Sequence, residues 1–368
     1  MTNNKITSTQ LISIGCNNIM GTIIISVFVS SVVKNESWLL GILGLIFHIP
    51  AMLVYFALIK KFPGKYITEI NEIVFGTIAG RALSLYYLLF LMTLCSLNAL
   101  DACNFLYYSI MPDTPLGVII LFLMSACAYC VSKGIGAIAR VSTVFGVSSL
   151  ACIIFSILLS FDHANFEFLL PVFNLDFIDY VQGTHICVAI PFGGSFVLLA
   201  LVPDLEKKAN VKKVFISVAL FCAFIITVVQ FHEVISLGPL LPYITQPSYE
   251  SIRIISIYNI FSRIEILFAL LLISLTCFKT MLLLYACLKY TTNIFKLKGY
   301  KHLTIMFSLL LTIYSINAYG SPTNNIYWGK NVVPFIWSFS SFVMPLVTLI
   351  TATARGSGLQ TSQSRETA

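Results

Sequence analysis

Charge is what this chain has least of. Only 10% of its 368 residues are Asp, Glu, Lys or Arg, and the acidic residues number 15. A soluble domain of this length needs far more charge to clothe its surface, so a soluble globular class is excluded. A disulfide framework is also missing. The ten cysteines all fall inside apolar runs and read as small buried hydrophobes. Cys127-Ala-Tyr-Cys130 has CxxC spacing but no second ligand pair, so no metal site is expected. No nucleophile–base pair and no phosphate-cradling loop is legible, so neither an enzyme nor a cofactor is expected. The start lacks a short apolar region followed by a small-residue cleavage site, and a removable signal peptide is therefore not expected.

What is present is hydrocarbon. Hydrophobic residues make up 58% of the chain and the mean hydropathy is +0.91. A spanning helix needs about 20 mostly apolar residues. Ten runs qualify, at 11–33, 38–59, 83–111, 116–131, 141–161, 181–202, 214–235, 263–290, 303–318 and 333–352, the fourth and ninth being short. The chain thus reads as an all-α polytopic membrane protein of ten transmembrane helices. Its single transporter-like domain covers 1–354, and a Gly/Ser/Thr-rich tail at 355–368 reads as disordered and cytoplasmic.

The net charge of +7 in a soluble chain could suggest nucleic acid. Here the basic residues sit in short loops, which points to membrane orientation instead. With the N-terminus inside, seventeen Lys and Arg fall on inner segments and four (Lys34, Arg253, Arg263, Lys330) on outer ones. Both termini are therefore expected to be cytoplasmic. The segment 62–80 carries Ile67, Ile70, Ile73 and Val74 opposite Glu69 and Glu72, the pattern of an amphipathic helix lying at the inner interface. The segment 237–262 is read as a long outer loop that re-enters or forms a lid, and 320–331 as a polar outer turn.

Two stretches interrupt helical spans. In the sixth, Ile190-Pro191-Phe192-Gly193-Gly194-Ser195 combines a proline with two glycines in mid-span. The corresponding point of the first span is Asn17-Asn18-Ile19-Met20-Gly21-Thr22. Ten spans divide into five plus five, and the second five start on the opposite side of the membrane, so any repeat is inverted. Repeat one is placed at about 8–161 and repeat two at about 180–352. Half-helix ends free N–H and C=O groups that bind carboxylates and cations respectively. The expected ligand-binding residues are therefore Asn17, Asn18, Gly21, Thr22 and Ile23 with Pro191, Phe192, Gly193, Gly194 and Ser195. Asp101, with Asn98 at i−3 and Asn104 at i+3, makes a polar stripe on the third span. A membrane-embedded carboxylate is a functional candidate, so Asn98 and Asp101 join the expected site.

These residues resemble the amino acid–polyamine–organocation superfamily, and within it the B subunits of spore germinant receptors. The resemblance runs through Asn18-Ile19-Met20-Gly21-Thr22-Ile23-Ile24, Phe192-Gly193-Gly194, Val202-Pro203-Asp204 and Ser262-Arg263-Ile264-Glu265. It implies a 5+5 inverted repeat of the LeuT type with helices 1 and 6 interrupted. It further implies a nutrient-sensing role in the spore inner membrane, where the protein binds a small germinant and triggers germination. Its partners would be a membrane A subunit and a lipoprotein C subunit. In similar transporters a sodium site lies where the first and eighth spans meet, and Lys279, flanked by Thr276 and Thr280, is placed there as a built-in cation. The chain departs from the pattern at Gly21-Thr22-Ile23, where Gly-x-Gly is usual, and at Phe196, near which an acidic residue is usual. Those departures favour a sensor over the alternatives, an amino-acid or amine permease and a ligand-gated ion or water path.

Overall fold

A computed structural model describes residues 5–22, 26–160, 164–206, 209–253, 264–318 and 322–356. Among them the backbone is helical apart from loops and one isolated parallel bridge, Ile6 with Leu205. The helices are α1 (Ser8–Met20), α2 (Ser26–Val33), α3 (Leu40–Lys61), α4 (Ile67–Phe75), α5 (Thr77–Ser109), α6 (Leu116–Ser132) and α7 (Ile135–Ser160). They continue as α8 (Phe177–Cys187), α9 (Val211–Leu237), α10 (Pro247–Arg253), α11 (Ile264–Ile294), α12 (Thr304–Ala318), α13 (Pro322–Asn331), α14 (Val333–Ser338) and α15 (Met344–Ala354).

Each of the ten apolar runs carries helix. Seven stretches among the described residues are long and apolar enough to cross a membrane: Val27–Lys61, Thr77–Ser109, Ile135–Phe155, Phe177–Ala200, Val211–Tyr243, Phe268–Ile294 and Val333–Ala354. Helices α6 and α12 are shorter, at 17 and 15 residues. Large apolar side chains such as Phe47, Phe122, Phe224 and Ile305 face outward, as a hydrocarbon solvent allows. The core is centred on α5 and α11, whose faces meet along their length. Around that pair α3 packs on α9, α6 on α12, and α1 on α7 and α9.

The two expected interruptions differ in kind. Helix α1 opens with a capping box, in which Thr7 Oγ1 accepts from the Gln10 N–H (3.2 Å) and Gln10 Oε1 from the Thr7 N–H (3.0 Å). It stops at Met20, and Gly21 and Thr22 form a turn. The sixth run does not unwind. After α8 the backbone widens to a π turn over Val188–Phe192 and then tightens to 3₁₀ geometry over Gly193–Ala200. Pro191 has no N–H to give to the preceding turn, and a wider turn absorbs that loss without ending the helix. The expected break is thus a change of pitch.

One surface segment also differs from expectation, and α4 and the 237–262 segment take their places beside it. The polar stretch before the tenth run is helix α13 rather than a turn, beginning at Pro322, where a missing N–H is tolerated. In α4, Ile67, Ile70 and Val74 are buried against α5, while Ile73 points outward. The 237–262 loop supplies α10, whose Pro247, Ser248, Tyr249, Ser251 and Ile252 are buried. Ile23, Ser262, Arg263, the Glu265 side chain and the tail beyond 356 lie outside the described residues.

Candidate ligand site

The turn that ends α1 meets the pitch change of the sixth helix. Asn18 Nδ2 donates to the Gly194 carbonyl oxygen at 3.2 Å, tying the two irregular segments together. Between them and α11 lies a small cavity of about 10 Å³, lined by Asn18, Ile190, Gly193, Gly194, Lys279 and Trp337 among others. A second cavity of about 40 Å³ adjoins it, lined by Gly21, Thr22, Asn98, Asp101, Lys279 and Asn325, with Leu94, Leu97, Ile190, Val333 and Trp337 as apolar walls. Together they hold only a few waters, since one water needs roughly 10–15 Å³ of such space.

Above this centre, at the end of the bundle away from the N-terminus, a wider vestibule of about 510 Å³ opens. Phe28, Asp101 and Asn325 line both the vestibule and the 40 Å³ cavity. Asn325 Nδ2 donates to Asp101 Oδ1 at 2.5 Å, so this bond stands at the threshold between them. Asn104 lines the vestibule one turn beyond Asp101, and Thr245, Gln246 and Glu250 of the 237–262 segment close its rim.

At the opposite end a polar clamp forms around Asp204, beside a cleft of about 610 Å³ between α4 and the end of α11 that shares no lining residue with the two central cavities. Lys289 Nζ lies 3.2 Å from Asp204 Oδ1, Tyr285 donates to Asp204 Oδ2 at 2.9 Å, and Tyr66 donates to Asp204 Oδ1 at 3.1 Å. Lys289 also sits over the rings of Tyr66, Tyr285 and Tyr300. Burial, together with the Asp204 carboxylate, holds the Tyr66 phenol well above its ordinary range, so it remains a donor to that carboxylate. Beside this clamp the N-terminal segment is pinned to the end of the sixth helix. The Ile6 N–H donates to the Asp204 carbonyl at 3.0 Å and the Glu206 N–H to the Ile6 carbonyl at 3.1 Å.

Of the residues expected from sequence, Asn18, Gly21, Thr22, Asn98, Asp101, Gly193, Gly194 and Lys279 converge on the two cavities. Asn98 Nδ2 donates to the Thr276 carbonyl (2.9 Å) and Thr280 Oγ1 (2.8 Å), so the two threonines brace the third span against α11. Four expected residues point elsewhere. Asn17 Nδ2 donates to the carbonyl (2.6 Å) and hydroxyl (3.0 Å) of Ser142 on α7. Pro191 is buried without lining either cavity. Ser195 Oγ pairs with His48 Nε2 at 3.1 Å, and the Phe192 ring packs on the same imidazole. Asn325, Trp337 and His48 were not singled out from the sequence. Only the fold gives each of them its neighbours.

Residues 5–321 match the model of the spore permease family, described as spore germination protein. The chain belongs to this family. It is 25% identical over 334 residues to spore germination protein KB of Bacillus subtilis (strain 168), covering 88% of each chain. It is 26% identical over 180 residues to spore germination protein B2 of the same organism, covering 48% of each. In three dimensions this family member resembles Mhp1, a nucleobase-cation-symport-1 family transporter solved in a closed conformation with bromovinylhydantoin bound (TM-score 0.64, 13% identity, 89% of this chain and 77% of that one). It also resembles MhsT solved in complex with L-phenylalanine (TM-score 0.63, 16% identity, 95% and 99%). The fold is therefore that of membrane transporters.

Proposed function

We propose that this chain is the nutrient-sensing membrane subunit of a spore germinant receptor, binding a small germinant such as an amino acid where the first, third, sixth and eighth runs meet. The observation that carries this reading is the joint between the α1 turn and the sixth helix, closed by Asn18 and Gly194 beside a cavity floored by Lys279. Irregular helices at membrane depth are tolerated where they line a cavity, and transporter folds bind their ligands at such places. The two structural neighbours were solved with small organic ligands, which agrees with a small-molecule site.

The reading includes ten spans in a 5+5 inverted repeat, both termini cytoplasmic, residence in the spore inner membrane, and assembly with a membrane A subunit and a lipoprotein C subunit. Support for the repeat comes from the packing. Runs two and seven (α3 and α9), three and eight (α5 and α11), and four and nine (α6 and α12) each lie against their counterpart. Lys279 takes the place of a coupling cation, with Thr276 and Thr280 around it. The chain is a binding protein and not an enzyme.

Gly193→Leu should abolish the nutrient response of spores while leaving the protein's level intact, and Gly21→Leu should abolish it with a lowered level. Normal responses in both variants would remove the joint from the model. Reconstitution in liposomes separates a sensor from an amino-acid or amine permease: saturable accumulation of labelled amino acids would favour the permease.

A further inference from the structure

Lys279 is the conspicuous loose end of the central cavity. It is 7% exposed, lines both small cavities, and has no hydrogen-bond or ion-pair partner among the described residues. Its stem is packed against the α1 turn, since a Cβ on Gly21 would stand 3.1 Å from Lys279 Cβ and 3.3 Å from Lys279 Cδ. A buried ammonium with no counter-charge in contact is costly, and the cost is removed by an anionic group placed in reach. Across the 40 Å³ cavity stands a group of the opposite sign. Asp101 lines the same space, Asn325 occupies one of its carboxylate oxygens, and no ion pair joins it to Lys279. The two charges therefore face a common gap instead of neutralising each other by contact.

We propose that Lys279 and Asp101 are the two charge-selecting poles of the ligand site, Lys279 receiving a carboxylate and Asp101 an ammonium. This rests on the reading of the central cavity as the ligand site and specifies what that site selects. The fitting ligand is dipolar, with both charges on one small skeleton and an apolar side chain facing Leu94, Ile190 and Trp337. The vestibule delivers it to Asp101 first, and its ammonium displaces the Asn325 amide from that carboxylate. The carboxylate then reaches Lys279. On this assignment Lys279 touches the ligand directly, and a monocation or a monoanion leaves one buried charge unpaired.

The test is a charge-matched binding series on the purified full-length chain in lipid nanodiscs. One series is L-alanine, ethylamine and propionate; a second is L-leucine, isopentylamine and 4-methylpentanoate. Wild type should bind the amino acid of at least one series ten-fold or more tightly than its amine or its acid. In Lys279→Met the preference for amino acid over amine should collapse to within about two-fold. In Asp101→Asn the preference over the acid should collapse in the same way. Lys279→Gln serves as a second variant should the methionine form fail to fold. A ratio of affinities is the readout because a merely structural loss lowers all three ligands together. Failure of wild type to discriminate in both series, or unchanged ratios in the variants, would overturn the assignment. Spores carrying Lys279→Gln and Asp101→Asn that still respond to nutrient, while Gly193→Leu spores with a normal level of the protein do not, would leave the receptor reading standing and remove this one.

Discussion

At the scale of single residues, the glycines of the joint hold unequal room, and that sets an order of sensitivity. A Cβ on Gly21 would come within 2.9 Å of the Leu275 carbonyl oxygen, a backbone atom inside α11 that cannot step aside. A Cβ on Gly194 would meet only the end of the Asn18 amide, at 3.3 Å. Gly21→Ala should therefore destabilise by about 1–3 kcal/mol, the usual cost of overpacking, and Gly194→Ala by clearly less. Thermal unfolding of both variants in one detergent checks the order; a more damaging Gly194→Ala would show that α1 does not pack on α11 as described. The neighbouring amides make a related point about legibility. Asn17 and Asn18 are adjacent in sequence and alike in chemistry, yet helical rotation sends one to Ser142 and the other to Gly194. Sequence marked the pair as polar at membrane depth, but which of them faces the site depends on where α7 and the sixth helix lie. His48 was illegible for the same reason: its significance is its bond to Ser195, a residue 147 positions away.

At the scale of elements, the third span was the most readable feature. The i−3 and i+3 spacing around Asp101 predicts one polar face, and Asn98, Asp101 and Asn104 do line consecutive cavities. The sixth span was readable in place but not in form, because proline and paired glycines signal disruption without saying whether a helix ends or changes pitch. Helix α13 was misread as a turn because its polar composition carries no apolar stripe, and with it Asn325 was missed. The clamp around Asp204 joins four elements and was not foreseen as a unit. It carries a prediction of its own. Asp204→Asn removes the charge that holds Lys289, with both side chains largely buried at 13% and 19% exposure. Loss of one to two kcal/mol there corresponds to a 5–30-fold rise in local opening. Hydrogen exchange at the Ile6 and Glu206 amides, which bond across this junction, should accelerate by that factor while amides in mid-α5 stay unchanged. Equal protection in the variant would mean that the N-terminal segment is held independently of the clamp.

At the scale of the whole molecule, the two ends differ in whether their open space meets the central cavity: the cleft of about 610 Å³ beside α4 shares no lining residue with it. A 510 Å³ vestibule reaches Asp101 from one side, while Asp204, Lys289 and the pinned N-terminal segment close the other. In a fold of this kind, a ligand entering from the vestibule can act in two ways. It can be bound with the far end still closed, or it can drive that end open and pass the signal or itself onward. Ile6 and Leu205 are bridge partners, and neighbouring strands lie about 4.8 Å apart, within the Cα separation a disulfide accepts. The double variant Ile6→Cys with Leu205→Cys therefore locks the closed end when oxidised and releases it when reduced. If binding requires only the vestibule and the central cavity, oxidation should leave ligand affinity within about two-fold. If the output requires the far end to open, the same oxidation should abolish the nutrient response, and a reductant should restore it. A normal response in the locked form would place the output elsewhere. In that case the vestibule side, with Asp101, Asn325 and α13, becomes the part that reports binding to a partner.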